Sequence, residues 1–260
     1  MLNDHSKASI AQILFYLPAL VFTGYLRWHR HGRPRMAWII LLVFTIITGT
    51  VRIACGVVVI IYENNQNNDG LLAASTILLN AGVFPLIAAT IGLIRIITAL
   101  DFQNSPGVRY GLILSRIFFI GGIFVIVAGA SIVGDTDHPK KVSTGSDLVK
   151  SGYIILAIFV ATLLGFQAYF WFKRSGLTQT SVTKVLRGIS TAMPFCLVRL
   201  TYLFLSIFRP SEPRWNELLG DTAPYVVMGL LMEYAVVCIY IFTGFQIPPS
   251  KKTREELLAV

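Results

Sequence analysis

The sequence predicts an all-α fold: a polytopic membrane protein built as a bundle of seven transmembrane helices. Of its 260 residues, 55% are hydrophobic and only 13% are charged, whereas soluble domains carry about 25% charged residues. Seven apolar windows each reach the length of about 20 residues that a helix needs to cross a bilayer. Backbone groups in lipid must be satisfied within the segment, and the alternating pattern of a membrane β-barrel is absent, so these windows predict helices.

The predicted spans follow one another through one transmembrane domain that covers residues 1–260. No part of the sequence is long or polar enough to form a separate soluble domain. The spans are predicted near residues 8–26, 37–61, 71–99, 110–133, 149–172, 186–208 and 224–246.

The charges between the spans predict how the bundle is oriented. The loops on one side, together with the tail from residue 247, hold 13 Lys and Arg against 3 Asp and Glu. The N-terminus and the loops on the other side hold 6 Lys and Arg against 9 Asp and Glu. Because positive loops stay in the cytosol, the C-terminus is expected there and the N-terminus outside or in the lumen, in the endoplasmic reticulum or the plasma membrane.

This distribution also bears on partners. The net charge of +9 follows from topology and needs no nucleic-acid partner. Membrane lipid is the expected partner, and the basic clusters either act only as topology signals or also contact anionic head groups. The sequence predicts no particular oligomeric state.

Four polar residues from four spans are expected to meet near the middle of the membrane. Arg199 lies nine residues before the outer end of span six, and Glu233 lies nine residues after the outer start of span seven. Arg52 and Asn80 lie about ten residues from the outer ends of spans two and three, at a rise of about 1.5 Å per residue. Charges in spans usually pair or face the interior. We expect Arg199 to pair with Glu233, which leaves Arg52 without a side-chain partner.

Three helical faces gather small and polar residues, a pattern that favours helix–helix contact. They comprise Thr45, Thr48, Arg52 and Gly56 in span two, Phe195, Arg199, Tyr202 and Ser206 in span six, and Gly229, Glu233, Tyr240 and Gly244 in span seven. Pro85 and Pro194 lie near the same depth, and we expect them to kink spans three and six and to open backbone groups toward a cavity.

Besides a catalytic site, two interpretations of the buried polar residues remain open. An unpaired cation at Arg52 favours binding of a lipophilic or anionic small molecule, or of lipid. The candidate ligand-binding residues are then Arg52, Asn80, Arg199, Tyr202 and Tyr240. Alternatively, a closed Arg–Glu–Asn network fixes helix packing and binds nothing.

No cofactor or metal is predicted. Asp135, Asp137 and His138 lie together in the segment GDTDHPKK, residues 134–141, but a solvated loop with a proline turn accounts for them. The sequence has no P-loop, dinucleotide fingerprint or Ser-His-Asp pattern.

Several stretches resemble an uncharacterised family of fungal seven-helix integral membrane proteins. They are AQILFYLPAL (11–20), VRIACG (51–56), NAGVFPLIAATIGLIR (80–95), PFCLVRLTYLFLSIF (194–208) and MEYAVVCIYIFTG (232–244). The resemblance extends from about residue 8 to residue 246 and implies a fungal origin and a membrane location, but no activity. Its pattern picks out Arg52, Asn80, Pro85, Arg95, Pro194, Arg199, Tyr202, Glu233 and Tyr240.

Three function classes follow. The first is a sensor or carrier of a lipophilic or anionic compound. A G-protein-coupled role is disfavoured because span three ends in IRIITALD, and a retinal protein because span seven has no lysine. The second is an embedded cyclase or isomerase of secondary metabolism, suggested by the genomic neighbours of such fungal families, with Glu233 as its catalytic acid. The third is a structural or accessory membrane protein.

Overall fold

The computed structural model describes residues 4–29, 35–64, 69–101, 106–133, 139–173, 180–210, 212–216 and 220–246. Within these ranges the chain is helical and contains no strand, which confirms the all-α prediction. Seven segments of the described chain are long and apolar enough to cross a membrane. Spans one to seven are His5–Tyr25, Thr45–Glu63, Leu78–Thr98, Tyr110–Val133, Val142–Phe172, Val182–Phe208 and Thr222–Gln246.

The helices extend beyond most of these spans. Spans one and two belong to helices Asp4–His29 and Arg35–Asn64, and span three to helices Asp69–Ala81 and Val83–Asp101. Spans four, five and six belong to helices Pro106–Val133, Pro139–Phe172 and Thr180–Phe208, and a 3₁₀ turn follows at Pro213–Trp215. Span seven combines Thr222–Pro224, a π-helical segment Tyr225–Leu231 and the helix Met232–Gln246.

The two predicted proline kinks have different outcomes: span three is interrupted before Pro85 and not at it, whereas the kink at Pro194 stays a prediction. Span three is interrupted at Gly82, and Pro85 is the third residue of the helix that follows. A proline in the first turn loses no hydrogen bond, because the first amides of a helix have no intrahelical acceptor. Helix Thr180–Phe208 runs through Pro194, and helix Asp4–His29 runs through Pro18.

The chain packs as two compact units. The first comprises Met1–Asp101 and Gly176–Val260, and therefore contains spans one, two, three, six and seven. The second, Phe102–Ser175, contains spans four and five. The single transmembrane domain expected from the sequence stays a prediction.

Span three forms the centre of the first unit, where it packs against spans two, six and seven. Its second helix is largely apolar, and Leu93, Ile94, Ile96 and Ile97 are buried, as expected for a helix in an interior position. The polar residues that neighbouring spans present to it are therefore held away from lipid.

Glycines bring the two helices of the second unit into backbone contact. A Cβ atom on Gly129 would lie 2.8 Å from the carbonyl oxygen of Gly145, and one on Gly152 would lie 3.1 Å from that of Gly122. On each helix the two glycines are seven residues apart, so they share one face. Small residues allow this close approach in membranes.

The three polar faces predicted from the sequence lie inside the protein. All four residues of the span two face and all four of the span seven face are buried. In span six Arg199 and Tyr202 are buried, while Phe195 and Ser206 are half-buried. Large apolar side chains such as Val21, Phe22 and Phe124 are exposed, as expected for helices in contact with lipid.

Some predictions fall outside the described residues. They include the loop residues Asp135, Asp137 and His138, the basic segment 30–34 and the tail from 247. The orientation of the termini therefore stays a prediction.

Candidate functional site

Two arginines share one carboxylate in the interior of the first unit. Arg199 Nε donates a hydrogen bond to Glu233 Oε1 at 2.7 Å, and Arg52 Nη2 donates to the same oxygen. All three side chains are at most 2% exposed. We call Arg52, Arg199 and Glu233 the charge centre. The predicted pair of Arg199 and Glu233 is confirmed, and the expectation that Arg52 has no side-chain partner is wrong.

The interruption of span three provides a hydrogen-bond acceptor and space for the Arg52 guanidinium. Leu79 lies in the last turn of helix Asp69–Ala81, where carbonyl groups lack the full set of intrahelical donors. Arg52 Nη1 donates to the Leu79 carbonyl at 3.1 Å. A Cβ atom on Gly82 would overlap the Arg52 guanidinium, so glycine leaves room for the guanidinium in its present position. The guanidinium is thus held by a carboxylate on one side and by a helix end on the other.

A second contact supports the backbone of Arg52. Gln12 Nε2 donates to the Arg52 carbonyl oxygen at 2.6 Å, and Gln12 Oε1 accepts a hydrogen bond from the Tyr225 hydroxyl at 3.2 Å. Tyr225 begins the π-helical segment that ends two residues before Glu233. Such segments are rare and often mark functional sites. Gln12 therefore links spans one, two and seven beside the charge centre.

Aromatic rings from spans one and seven cover Glu233. The Tyr16 hydroxyl donates to Glu233 Oε2 at 3.4 Å, and its ring meets Tyr234 edge-on at a centroid distance of 5.8 Å. Phe15 stacks on Tyr234 at 3.8 Å. The Tyr234 hydroxyl is buried and has no hydrogen-bond partner among the described residues.

Of the other predicted ligand residues, Tyr202 contacts the charge centre, Asn80 follows a residue that binds it, and Tyr240 lies further along span seven. Tyr202 is fully buried, and the Arg199 guanidinium lies over its ring at 5.6 Å. Asn80 is half-buried and follows Leu79, the residue whose carbonyl binds Arg52. Tyr240 lies seven residues after Glu233, about two helical turns away, and its hydroxyl is hydrogen-bonded to Thr90 at 2.5 Å.

Residues 2–250 match a family model described as "Domain of unknown function (DUF7702)". The chain belongs to the DUF7702 family. No match was found among curated proteins or among solved structures. Membership of the DUF7702 family agrees with the uncharacterised family that the sequence resembles.

The charge centre of this DUF7702 protein carries a net positive charge. Two guanidinium groups and one carboxylate give a formal sum of +1, and each of these side chains is at most 2% exposed. Arg52 Nε has no hydrogen-bond acceptor among the described residues. Buried groups of this kind are normally satisfied, so the centre has both charge and a donor available for an anion. Across the described ranges, no group of three His, Cys, Asp or Glu could hold a metal ion.

The sequence alone did not indicate Gln12, Phe15, Tyr16, Gly82 or Tyr225 as site residues of this DUF7702 protein. One signal could have found two of them. Ser9, Gln12, Tyr16 and Thr23 recur at helical spacing along span one, and all are buried. A polar stripe on an otherwise apolar first span predicts contact with a polar interior. Gly82 and Tyr225 carry no comparable signal, because their roles depend on the helix interruption and the π-helical segment.

Proposed function

We propose that the protein binds the anionic group of a lipophilic small molecule or lipid at the charge centre, and acts as a sensor or carrier in the membrane. The observation that carries the proposal is the net positive charge of two buried arginines that share a single carboxylate.

Burial strengthens the attraction between this positive charge and an anion. A charge far from water is costly unless it is paired, and electrostatic attraction is stronger in a low-dielectric interior than in water. A monoanion would bring the formal charge of the centre to zero. It would also offer an acceptor to Arg52 Nε, which has none among the described residues.

The residue types suit such a ligand. Guanidinium groups bind carboxylates and phosphates through several parallel donors, and they remain charged when buried. Glu233 holds both guanidiniums in place when no ligand is bound. An incoming anion would share these donors with Glu233, so binding would loosen the links between spans two, six and seven. That change is the physical basis for a sensor.

The test compares two probes that differ only in charge. Wild-type protein in nanodiscs is titrated with oleate and with methyl oleate, and binding is followed by native mass spectrometry. We expect oleate to bind and methyl oleate to bind at least tenfold more weakly. Arg52→Gln removes the excess charge but keeps the Arg199–Glu233 pair, and it should abolish this preference.

Arg187→Gln is the matched control, because Arg187 is exposed on the same helix as Arg199. This variant should bind oleate as the wild type does. Equal binding of oleate and methyl oleate by the wild type would contradict the proposal, as would oleate binding that is unchanged in Arg52→Gln.

A second candidate is an embedded cyclase or isomerase with Glu233 as the acid. The aromatic rings of Phe15, Tyr16 and Tyr234 beside Glu233 favour it, because aromatic faces stabilise cations. It ranks second because two guanidiniums stabilise the ionised form of Glu233, which has no proton to donate. A precursor of altered connectivity that accumulates both on gene deletion and in Glu233→Gln would favour this candidate over the first.

The proposal includes the setting expected from the sequence: a fungal membrane, either endoplasmic reticulum or plasma membrane, with the C-terminus in the cytosol. A C-terminal fluorescent tag tests both features. Its distribution identifies the membrane, and its sensitivity to protease added outside sealed vesicles identifies the side.

A further inference from the structure

We propose that the ligand of the charge centre is a long-chain monoanion that enters sideways from the lipid, between spans one and seven, past Phe15 and Tyr234. This inference rests on the proposed function and adds the ligand class and the route. Phe15 and Tyr234 are called the aromatic gate.

Few layers of side chains lie between the outside of the bundle and the charge centre at this seam. On the outside, Leu14 and Leu17 of span one are 65% and 50% exposed, and Leu231 of span seven is 49% exposed. The aromatic gate comes next, with both rings half-buried. Behind it lies Tyr16, whose hydroxyl contacts Glu233. Two layers of aromatic rings therefore separate lipid from the carboxylate.

The aromatic gate is held closed by ring stacking. The centroids of Phe15 and Tyr234 lie 3.8 Å apart, and the Tyr234 hydroxyl has no hydrogen-bond partner among the described residues. Rotation of either ring would therefore break no hydrogen bond made by that hydroxyl. The gate also lies near Pro18, which cannot donate to the carbonyl of Leu14, so the backbone of span one lacks one helical hydrogen bond there.

The ends of the same spans are fastened by polar contacts. His5 hydrogen-bonds to the carbonyl of Gly220, and Ser6 donates to Glu63. Further in, Gln12 bonds to both Tyr225 and the backbone of Arg52. Entry from the water side along span one would have to break these links in turn. Entry from the lipid needs only the two rings of the aromatic gate to separate.

The route restricts the ligand class. A single anionic group matches the net charge of the centre, and an opening the width of two side chains admits one hydrocarbon chain. The chain would stay in the seam and in the lipid while the head group reaches Arg52. The Tyr234 hydroxyl lies on this path and can donate to the head group as it passes.

The experiment measures rates of binding in nanodiscs. The probe is cis-parinaric acid, an 18-carbon fluorescent carboxylate that accepts energy from tryptophan, and Trp215 lies beside Tyr202 with ring centroids 6.4 Å apart. Stopped-flow fluorescence gives the association and dissociation rates. Phe15→Ala should raise both rates by roughly two- to tenfold, the range that loss of one ring stack allows, with little change in Kd.

Phe22→Ala is the matched control, since Phe22 lies seven residues further along span one and is exposed to lipid. Its rates should equal those of the wild type. If Phe15 only supports the fold, Phe15→Ala should lower the stability or change Kd, which is the ratio of the two rates. It should not raise both rates by the same factor.

Failure of the route and failure of the proposed function give different results. If parinarate binding depends on Arg52 but Phe15→Ala leaves both rates unchanged, the route is wrong and the proposed function stands. If no Arg52-dependent binding occurs, both are wrong.

If Phe15→Ala does not fold, photolabelling of the wild type tests the entry route instead. A fatty acid with a diazirine in mid-chain should label residues 14–17 and 231–234, and labelling confined to other spans would overturn the route.

Discussion

Substituting alanine for Gly82 should displace Arg52 without removing any charge. A Cβ atom at this position would overlap the guanidinium, which is fixed by Glu233 and by the Leu79 carbonyl. The side chain must therefore move away from at least one of these partners. Replacing glycine by alanine usually stabilises a helical protein, so a loss of stability here would identify the contact as the cause.

The size of the effect follows from the bonds at risk. A hydrogen bond to a charged group contributes about 1.5–3 kcal/mol, and the gain from replacing glycine by alanine at a compatible backbone position is about 0.4–1 kcal/mol. If one of the two bonds is lost, Gly82→Ala should destabilise the protein by roughly 0.5–2.5 kcal/mol. At about 2–4 °C per kcal/mol for a chain of this size class, Tm should fall by roughly 1–10 °C.

A thiol-reactive fluorogenic dye measures this unfolding, because Cys55 and Cys196 are buried. The exposed Cys238 is replaced by serine in every variant. Gly24→Ala is the control: it lies in helix Asp4–His29, nothing lies within 4 Å of its added Cβ, and Tm should rise slightly. In an Arg52→Ala background the penalty of Gly82→Ala should vanish. The same penalty in both backgrounds would refute the reasoning.

Three further predictions concern the same contacts and the second unit. Glu233→Gln leaves two buried guanidiniums without their carboxylate, so the free energy of unfolding should fall by about 3–5 kcal/mol. Because the variant has a larger excess of positive charge, oleate should raise its Tm more than that of the wild type. An equal or smaller rise in Tm would count against anion binding at the charge centre. Tyr225→Phe removes the hydrogen bond to Gln12 and should cost about 1 kcal/mol, whereas Tyr110→Phe at an exposed site should cost nothing measurable. Gly129→Leu would push a side chain into the Gly145 backbone, so the Tm should fall by several degrees, while Gly121→Ala, with nothing near its added Cβ, should leave Tm unchanged or higher.

The sequence predicts the spans and one ion pair because both depend on local rules. Long apolar windows must be helices in lipid. Equal distances from the same membrane surface bring Arg199 and Glu233 to one depth, and the structure pairs them at 2.7 Å. The polar faces of spans two, six and seven were also predicted correctly, since a charged residue inside a span must face the interior.

The features of the site and fold that were not predicted depend on how the helices pack, which cannot be read from the residues of one helix at a time. Arg52 was expected to lack a partner because each charge was counted once, but a carboxylate has several acceptor positions and can serve two guanidiniums. The carbonyl group that binds Arg52 is available because span three is interrupted at Gly82, whereas the sequence predicted a kink at Pro85. The division into two units follows from contacts between helices, and apolar composition does not reveal it.

The central claim is that the net charge of the centre determines anion binding, and a series of four proteins tests it. The formal charge is +1 in the wild type, zero in Arg52→Gln, +2 in Glu233→Gln and +1 again in the double variant Arg52→Gln/Glu233→Gln. The measurement is the affinity of each protein for oleate in nanodiscs of neutral lipid. The account predicts that binding is lost in Arg52→Gln, and that the double variant binds more tightly than Arg52→Gln but less tightly than the wild type, because it regains the charge without the Arg52 donors. Binding that persists in Arg52→Gln, or binding in the double variant no tighter than in Arg52→Gln, would contradict it.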